Sequence, residues 1–264
     1  MTLSAFVGEL HRRDRVLATT GWLMLAGLLV ASLAAAIDTR QVLGINVWIK
    51  PIKFLSSIAL FLWTMAWFMA ETEPRHQRRL NRIRTTIVVA MVGEIVLISM
   101  QAARGTTSHF NIQTFFDARV FDLMGLMIVA NSLAAAWFLT TLGPITIDRA
   151  GYLWGLRAGL VIFVAGSFQG FMMVANMGHG IPGPDGGPGL PFVNWSTGGG
   201  DLRIAHFIGL HALQALPLTG FLLDRARASS ARAIVTTVAV IWVLLFASMV
   251  MLAFSGTPLI PLSI

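Results

Sequence analysis

Glu94 lies near the middle of an apolar stretch that runs over residues 83–103. An ionisable side chain at that depth of a membrane is costly and turns toward protein, so it marks a proton-handling or ligand-binding site, or a hydrogen-bonded tie between helices. Gln101 follows seven residues later on nearly the same helix face, and Arg104 closes the stretch. His206 and His211 occupy a second apolar stretch, and imidazole is a common ligand for metals and haem. Five residues turn a helix through about 140°, whereas two ligands for one ion on one helix favour i,i+3 or i,i+4. The pair therefore predicts one ligand or acid–base histidine and one supporting histidine. His109, in a polar segment between stretches, is a third metal-ligand candidate, although no recognised zinc spacing occurs.

Other polar groups fall beside these. Lys50 and Lys53 are one turn apart and share a face. With Arg104 they suit an anionic ligand, or Lys53 pairs with Asp122. Gln169 and Asn176 are seven residues apart, and line a cavity or serve as interhelical glue. Met172, Met173 and Met177 nearby are more commonly flexible packing than copper ligands. Glu94, His206 and His211 are thus the catalytic candidates. Lys50, Lys53, Gln101, Arg104, Gln169 and Asn176 are the ligand-binding candidates, and His206, His211 and His109 the metal candidates.

These groups are positioned by long apolar elements. Of 264 residues, 56% are hydrophobic and 12% charged, and mean hydropathy is +0.74. A soluble domain carries roughly 25% charged residues. Seven stretches, 17–37, 48–70, 83–103, 118–142, 151–177, 204–223 and 233–254, are each long enough to cross a ~30 Å hydrocarbon core as a helix. The expected fold is all-α and polytopic, one seven-helix transmembrane domain over residues 1–264. The first stretch is longer than the apolar part of a signal peptide, which favours a retained helix. With alternating crossings, thirteen Lys and Arg fall on one side and six on the other. That bias predicts a cytoplasmic N terminus and an extracytoplasmic C terminus. The same arginines account for the high pI of 11.4 without nucleic acid. Cysteine is absent, which removes disulfides and thiolate chemistry. Residues 178–202 hold nine glycines and four prolines. This composition excludes helix and central strand and predicts a loop packed over the mouth of the bundle.

The segments Trp48-Ile-Lys-Pro-Ile-Lys-Phe54, Gln101-Ala-Ala-Arg-Gly-Thr-Thr-Ser-His-Phe-Asn111 and Gly200-Asp-Leu-Arg-Ile-Ala-His-Phe-Ile-Gly-Leu-His-Ala-Leu-Gln-Ala-Leu-Pro217 resemble a group of uncharacterised bacterial multi-pass membrane proteins. The resemblance implies a bacterial inner (plasma) membrane location and no particular activity. A looser resemblance is to the seven-helix membrane hydrolases that include alkaline ceramidases and progestin-receptor-like proteins. It implies zinc held by three histidines, but this chain has His206-x-x-x-x-His211 in place of their His-x-x-x-His.

The leading functional expectation is an enzyme or redox protein embedded in the membrane, using a divalent metal or haem. The alternatives are a proton-coupled small-molecule or ion transporter using Glu94, and a non-catalytic sensor or assembly factor. The expected partners are membrane lipid and an anionic or lipid-like ligand, and no nucleic acid.

Overall fold

The computed structural model describes residues 2–183 and 185–261. Pro184, within the Gly/Pro-rich segment, and the C-terminal Ile264 lie outside the described residues. The fold is all-α. The described residues form eight helices, of which seven are long and apolar enough to cross a membrane. They fall into two compact units, Met1–Gly143 and Pro144–Ile264.

The first unit holds α1 (Leu3–Arg13), α2 (Arg15–Ile37), the hairpin β1 (Gln41–Val42) and β2 (Ile45–Asn46), α3 (Ile49–Met69), α4 (Gln77–Arg104) and α5 (Phe115–Leu139). Helix α1 was not foreseen from the apolar runs, because its sequence is mixed. It buries Leu10 fully and stacks Phe6 on Trp67 of α3 at 5.9 Å. Asp14 separates α1 from α2. Its carboxylate accepts the Leu17 N–H at 3.0 Å, capping α2, and binds Arg84 of α4 at 2.6 Å. Two glycines admit neighbours: Trp63 of α3 packs into the space a side chain at Gly21 would fill, and Met127 of α5 does so at Gly93. Thr114 caps α5, and α4 ends at Gly105 with φ 71°. Helix α4 begins well before the apolar run because Gln77–Arg82 remains helical while polar.

The second unit holds α6 (Ala150–Asn176), the pair β3 (Gly180–Ile181) and β4 (Gly200–Asp201), α7 (Leu202–Arg225) and α8 (Ala231–Phe254). Helices α6 and α7 approach almost backbone to backbone. A methyl at Gly159 would lie 2.6 Å from the Ala212 carbonyl oxygen, and one at Gly166 would lie 2.7 Å from Gly209 Cα. Small residues at four- and seven-residue intervals let membrane helices pack this closely, since lipid supplies no hydrophobic drive between them. Asp224 of α7 caps α6 by accepting the Gly151 and Tyr152 N–H groups at 2.9 and 2.7 Å. Trp242 of α8 donates to the Ile208 carbonyl at 2.9 Å. Helix α8 is mostly exposed apolar surface, as a span facing lipid would be. The Gly/Pro-rich segment is not structureless. β3 and β4 pair antiparallel, with Gly180 opposite Asp201, and Trp195 packs edge-on to Phe207 of α7 at 5.6 Å.

Candidate functional site

In the first unit, three elements converge on Glu94. Helix α4 carries it, the α4–α5 connection brings His109, and the first turn of α3 brings Lys50. Glu94 is 1% exposed, and neither carboxylate oxygen has a hydrogen-bond partner among the described residues. His109 Nε2 stands 3.6 Å from Glu94 Oε1, just beyond hydrogen-bonding reach. On the other side of the ring, Lys50 Nζ lies 3.0 Å from His109 Nδ1 and the Ser108 hydroxyl 3.1 Å from it. An ammonium can only donate, so Nδ1 accepts from Lys50 and the ring hydrogen of neutral His109 belongs on Nε2, facing Glu94. Aromatic rings enclose the imidazole: Phe54, Phe110 and Phe121 have centroids 6.0, 6.1 and 6.2 Å away. An unpartnered buried polar group costs about 1–3 kcal/mol, and more if charged.

Gln101 and Arg104 meet at a different centre. Gln101 donates to Asp117 Oδ1 at 2.8 Å, Thr114 donates to Asp117 Oδ2 at 2.6 Å, and Arg104 binds both Gln101 and Asp117. These bonds join α4 to the start of α5. Asp117 escaped the sequence reading. Its signal was Thr114-Phe-Phe-Asp117, the Thr-x-x-acid pattern of a capped helix start. Lys53 is half-buried one turn below Lys50, and Asp122 pairs with Arg119 at 3.1 Å.

In the second unit the two histidines have different hydrogen-bond partners. His206 Nδ1 donates to the Gly166 carbonyl of α6 at 2.8 Å. His211 Nδ1 donates to the Phe207 carbonyl of its own helix at 2.8 Å, and its ring stacks on Phe207 at 3.9 Å. Gln169 is buried, donates a long bond to the Leu202 carbonyl at 3.4 Å, and has no partner for Oε1 among the described residues. Asn176 donates to the Gly178 and Gly180 carbonyls and so fixes the start of the loop. The loop has a polar anchor that sequence did not single out. Asp185 accepts from His179 Nδ1 at 2.5 Å and from the His179 and Gly180 N–H groups at 2.9 and 3.3 Å. Burial alone would push the Asp185 carboxyl up, but the His179 bonds and charge, with Arg203 nearby, hold it down at about 2. Asp201 is bound by Arg203 at 2.6 Å and accepts the Ser196 N–H at 2.8 Å.

Among the described residues, no group of three His, Asp or Glu side chains is placed to hold a metal ion. The metal candidates His109, His206 and His211 therefore find no support in the donor geometry.

The fold defines a multi-pass helical membrane protein, with one buried, unsatisfied carboxylate among the described residues, beside a histidine–lysine pair. No protein-family model matches the sequence, and comparison with curated proteins and with solved structures found no match.

Proposed function

We propose that the protein is a proton-coupled transporter of a small anionic solute, with Glu94 as the group that takes up and releases the proton. The observation that carries this reading is the Glu94 carboxylate, buried among helices with both oxygens unpartnered and the His109 Nε2–H directed at it. Intramembrane carboxylates with this character mark proton pathways.

The chemistry needs only groups already in place. Lys50 gives a proton to His109 Nδ1, His109 gives its Nε2 proton to Glu94, and the imidazole emerges as the other tautomer. Lys50 becomes a neutral amine and Glu94 a neutral acid, so atoms and charge balance, and Lys50 regains its proton from the aqueous side. With Glu94 neutral and Lys50 recharged, the cluster gains one positive charge relative to its starting state. An anion then binds better, and by linkage a bound anion favours protonated Glu94 to the same degree. That reciprocity is the requirement for coupled transport.

Proteoliposomes loaded with a pH-sensitive dye test the reading. Inward gradients of impermeant anions, mono- and dicarboxylates and phosphate among them, should drive internal acidification by the wild type for at least one anion. Glu94→Gln should abolish it. Acidification that survives in Glu94→Gln, or none with any anion, overturns the proposal.

A second reading keeps a metal- or haem-dependent enzyme, because His206 commits Nδ1 to a carbonyl and so leaves Nε2 for a ligand. Ligating histidines are commonly held this way. Metal analysis and an absorption spectrum of the purified protein test it, and a protein with neither bound metal nor a haem spectrum removes it.

A further inference from the structure

Along α4 and α5 the first unit carries a groove of about 790 Å3, within the ~300–1,000 Å3 typical of small-molecule sites. Its two ends differ. At one, Asn81, Arg82, Thr85 and Thr86 of α4 meet Trp137 of α5. Further along, the walls are Val89, Leu126, Met127 and Ala130. Arg82 is the only charged residue in the lining, is exposed, and makes no ion pair or hydrogen bond with any described residue. Two other arginines nearby in sequence are paired: Arg84 binds Asp14 at 2.6 Å and Arg75 binds Glu73 at 2.5 Å. Arg78 and Arg79, both exposed, add positive charge at the same end of α4.

We propose that this groove is a binding site for one anionic phospholipid of the surrounding bilayer, with its phosphate on Arg82 and an acyl chain along Val89, Leu126 and Met127. The dimensions fit. Leu126 to Trp137 spans eleven residues of helix, roughly 16 Å, against ~15 Å for half of a ~30 Å hydrocarbon core. Arg82 and Trp137 then sit at headgroup depth, where tryptophan collects and a guanidinium matches phosphate oxygens in pairs. Basic pockets between membrane helices are recurrent sites for anionic headgroups. No acid lines the groove to hold a cationic headgroup, so charge selects anionic over zwitterionic lipid. A second copy of the chain fits less well, since a two-fold contact here would bring two Arg82 side chains together without an acid between them. The site shares no residue with the Glu94 cluster.

Native mass spectrometry of the delipidated full-length protein, titrated with phosphatidylglycerol and phosphatidylcholine of identical chains, tests the proposal. The wild type should retain one phosphatidylglycerol roughly fivefold better, the factor one basic residue supplies at an anionic surface. Arg82→Gln, an exposed change that leaves packing intact, should erase the preference while phosphatidylcholine still binds. Arg82→Lys should keep most of it, and Ala130→Phe, which fills the groove, should lose both lipids. Equal binding of the two lipids by the wild type, or an unchanged preference in Arg82→Gln, overturns the proposal. A dimer that Ala130→Phe disperses would assign the groove to a second copy and overturn it too.

Discussion

His109 Nε2 faces Glu94 Oε1 across 3.6 Å, while Lys50 approaches the opposite nitrogen of the same ring at 3.0 Å. One imidazole thus stands between an ammonium donor and a buried carboxylate, and a proton crosses the ring only as it exchanges tautomers. His109→Ala removes that link and leaves Glu94 in place. Proton-linked uptake should fall at least about tenfold, within the span general acid–base groups contribute, while anion binding persists. Uptake rates in proteoliposomes beside calorimetric anion binding separate the two effects. Unchanged uptake would show that Glu94 exchanges protons by another route.

Glu94→Gln should cost no stability, which distinguishes this carboxylate from a structural one. Neither oxygen of Glu94 has a hydrogen-bond partner among the described residues, so the substitution breaks no such bond and eases the desolvation of a charge. The unfolding temperature in detergent should equal or exceed that of the wild type. Asp117→Asn is the contrast. It weakens the bonds from Arg104, Gln101 and Thr114 at a buried position and should destabilise by about 1–3 kcal/mol.

The seven crossing helices were legible because apolar runs of this length have one physical solution in lipid, with every backbone group satisfied inside its own segment. The burial of Glu94 was legible for a related reason, since a lone acid in such a run turns toward protein rather than lipid. Its partners were less so. Lys50 and His109 were each visible as candidates, but their convergence depends on how the α4–α5 connection folds back, which no periodicity encodes. Helix α1 was missed because it owes its place to Leu10 and the Phe6–Trp67 stack rather than to hydropathy. The Asp185–His179 pair was hidden for another reason: an aspartate among glycines and prolines reads as an ordinary turn residue.

The absence of cysteine makes the expected topology directly testable. Single cysteines at Ser4, Gly198 and Ser229 fall at exposed positions, and a Cβ at Gly198 meets nothing within 4 Å. With the N terminus cytoplasmic, an impermeant maleimide applied to intact cells should label Gly198→Cys only. Ser4→Cys and Ser229→Cys should react only after the membrane is opened. The reverse pattern would invert the orientation inferred from the arginines.

Close packing of α6 on α7 predicts a steep penalty for the smallest side chain. A methyl at Gly155 would overlap the Leu216 carbonyl oxygen, which is backbone and cannot rotate aside. Gly155→Ala should lower stability by about 1–3 kcal/mol, despite alanine's better helix propensity. Gly8→Ala in α1, where nothing lies within 4 Å, should be neutral or gain up to about 1 kcal/mol. Thermal unfolding of both variants in one detergent makes the comparison.

The last prediction concerns acid. Asp185 holds the loop after α6 through His179 and two backbone N–H groups, and its carboxyl sits at about 2 against an ordinary 3.8. The folded value is depressed, so ionised Asp185 stabilises the loop fully above the ordinary value. That stabilisation is lost as pH falls through about 4 toward about 2. The difference amounts to on the order of 2 kcal/mol, enough to shift a local opening equilibrium some thirtyfold. Hydrogen exchange at the His179 and Gly180 amides should therefore quicken across that window, relative to amides within α6 measured at the same pH. Asp185→Asn should quicken exchange at neutral pH and flatten the acid dependence, because the amide side chain carries no charge to lose. If the wild type and Asp185→Asn exchange alike at neutral pH, the pair does not hold the loop.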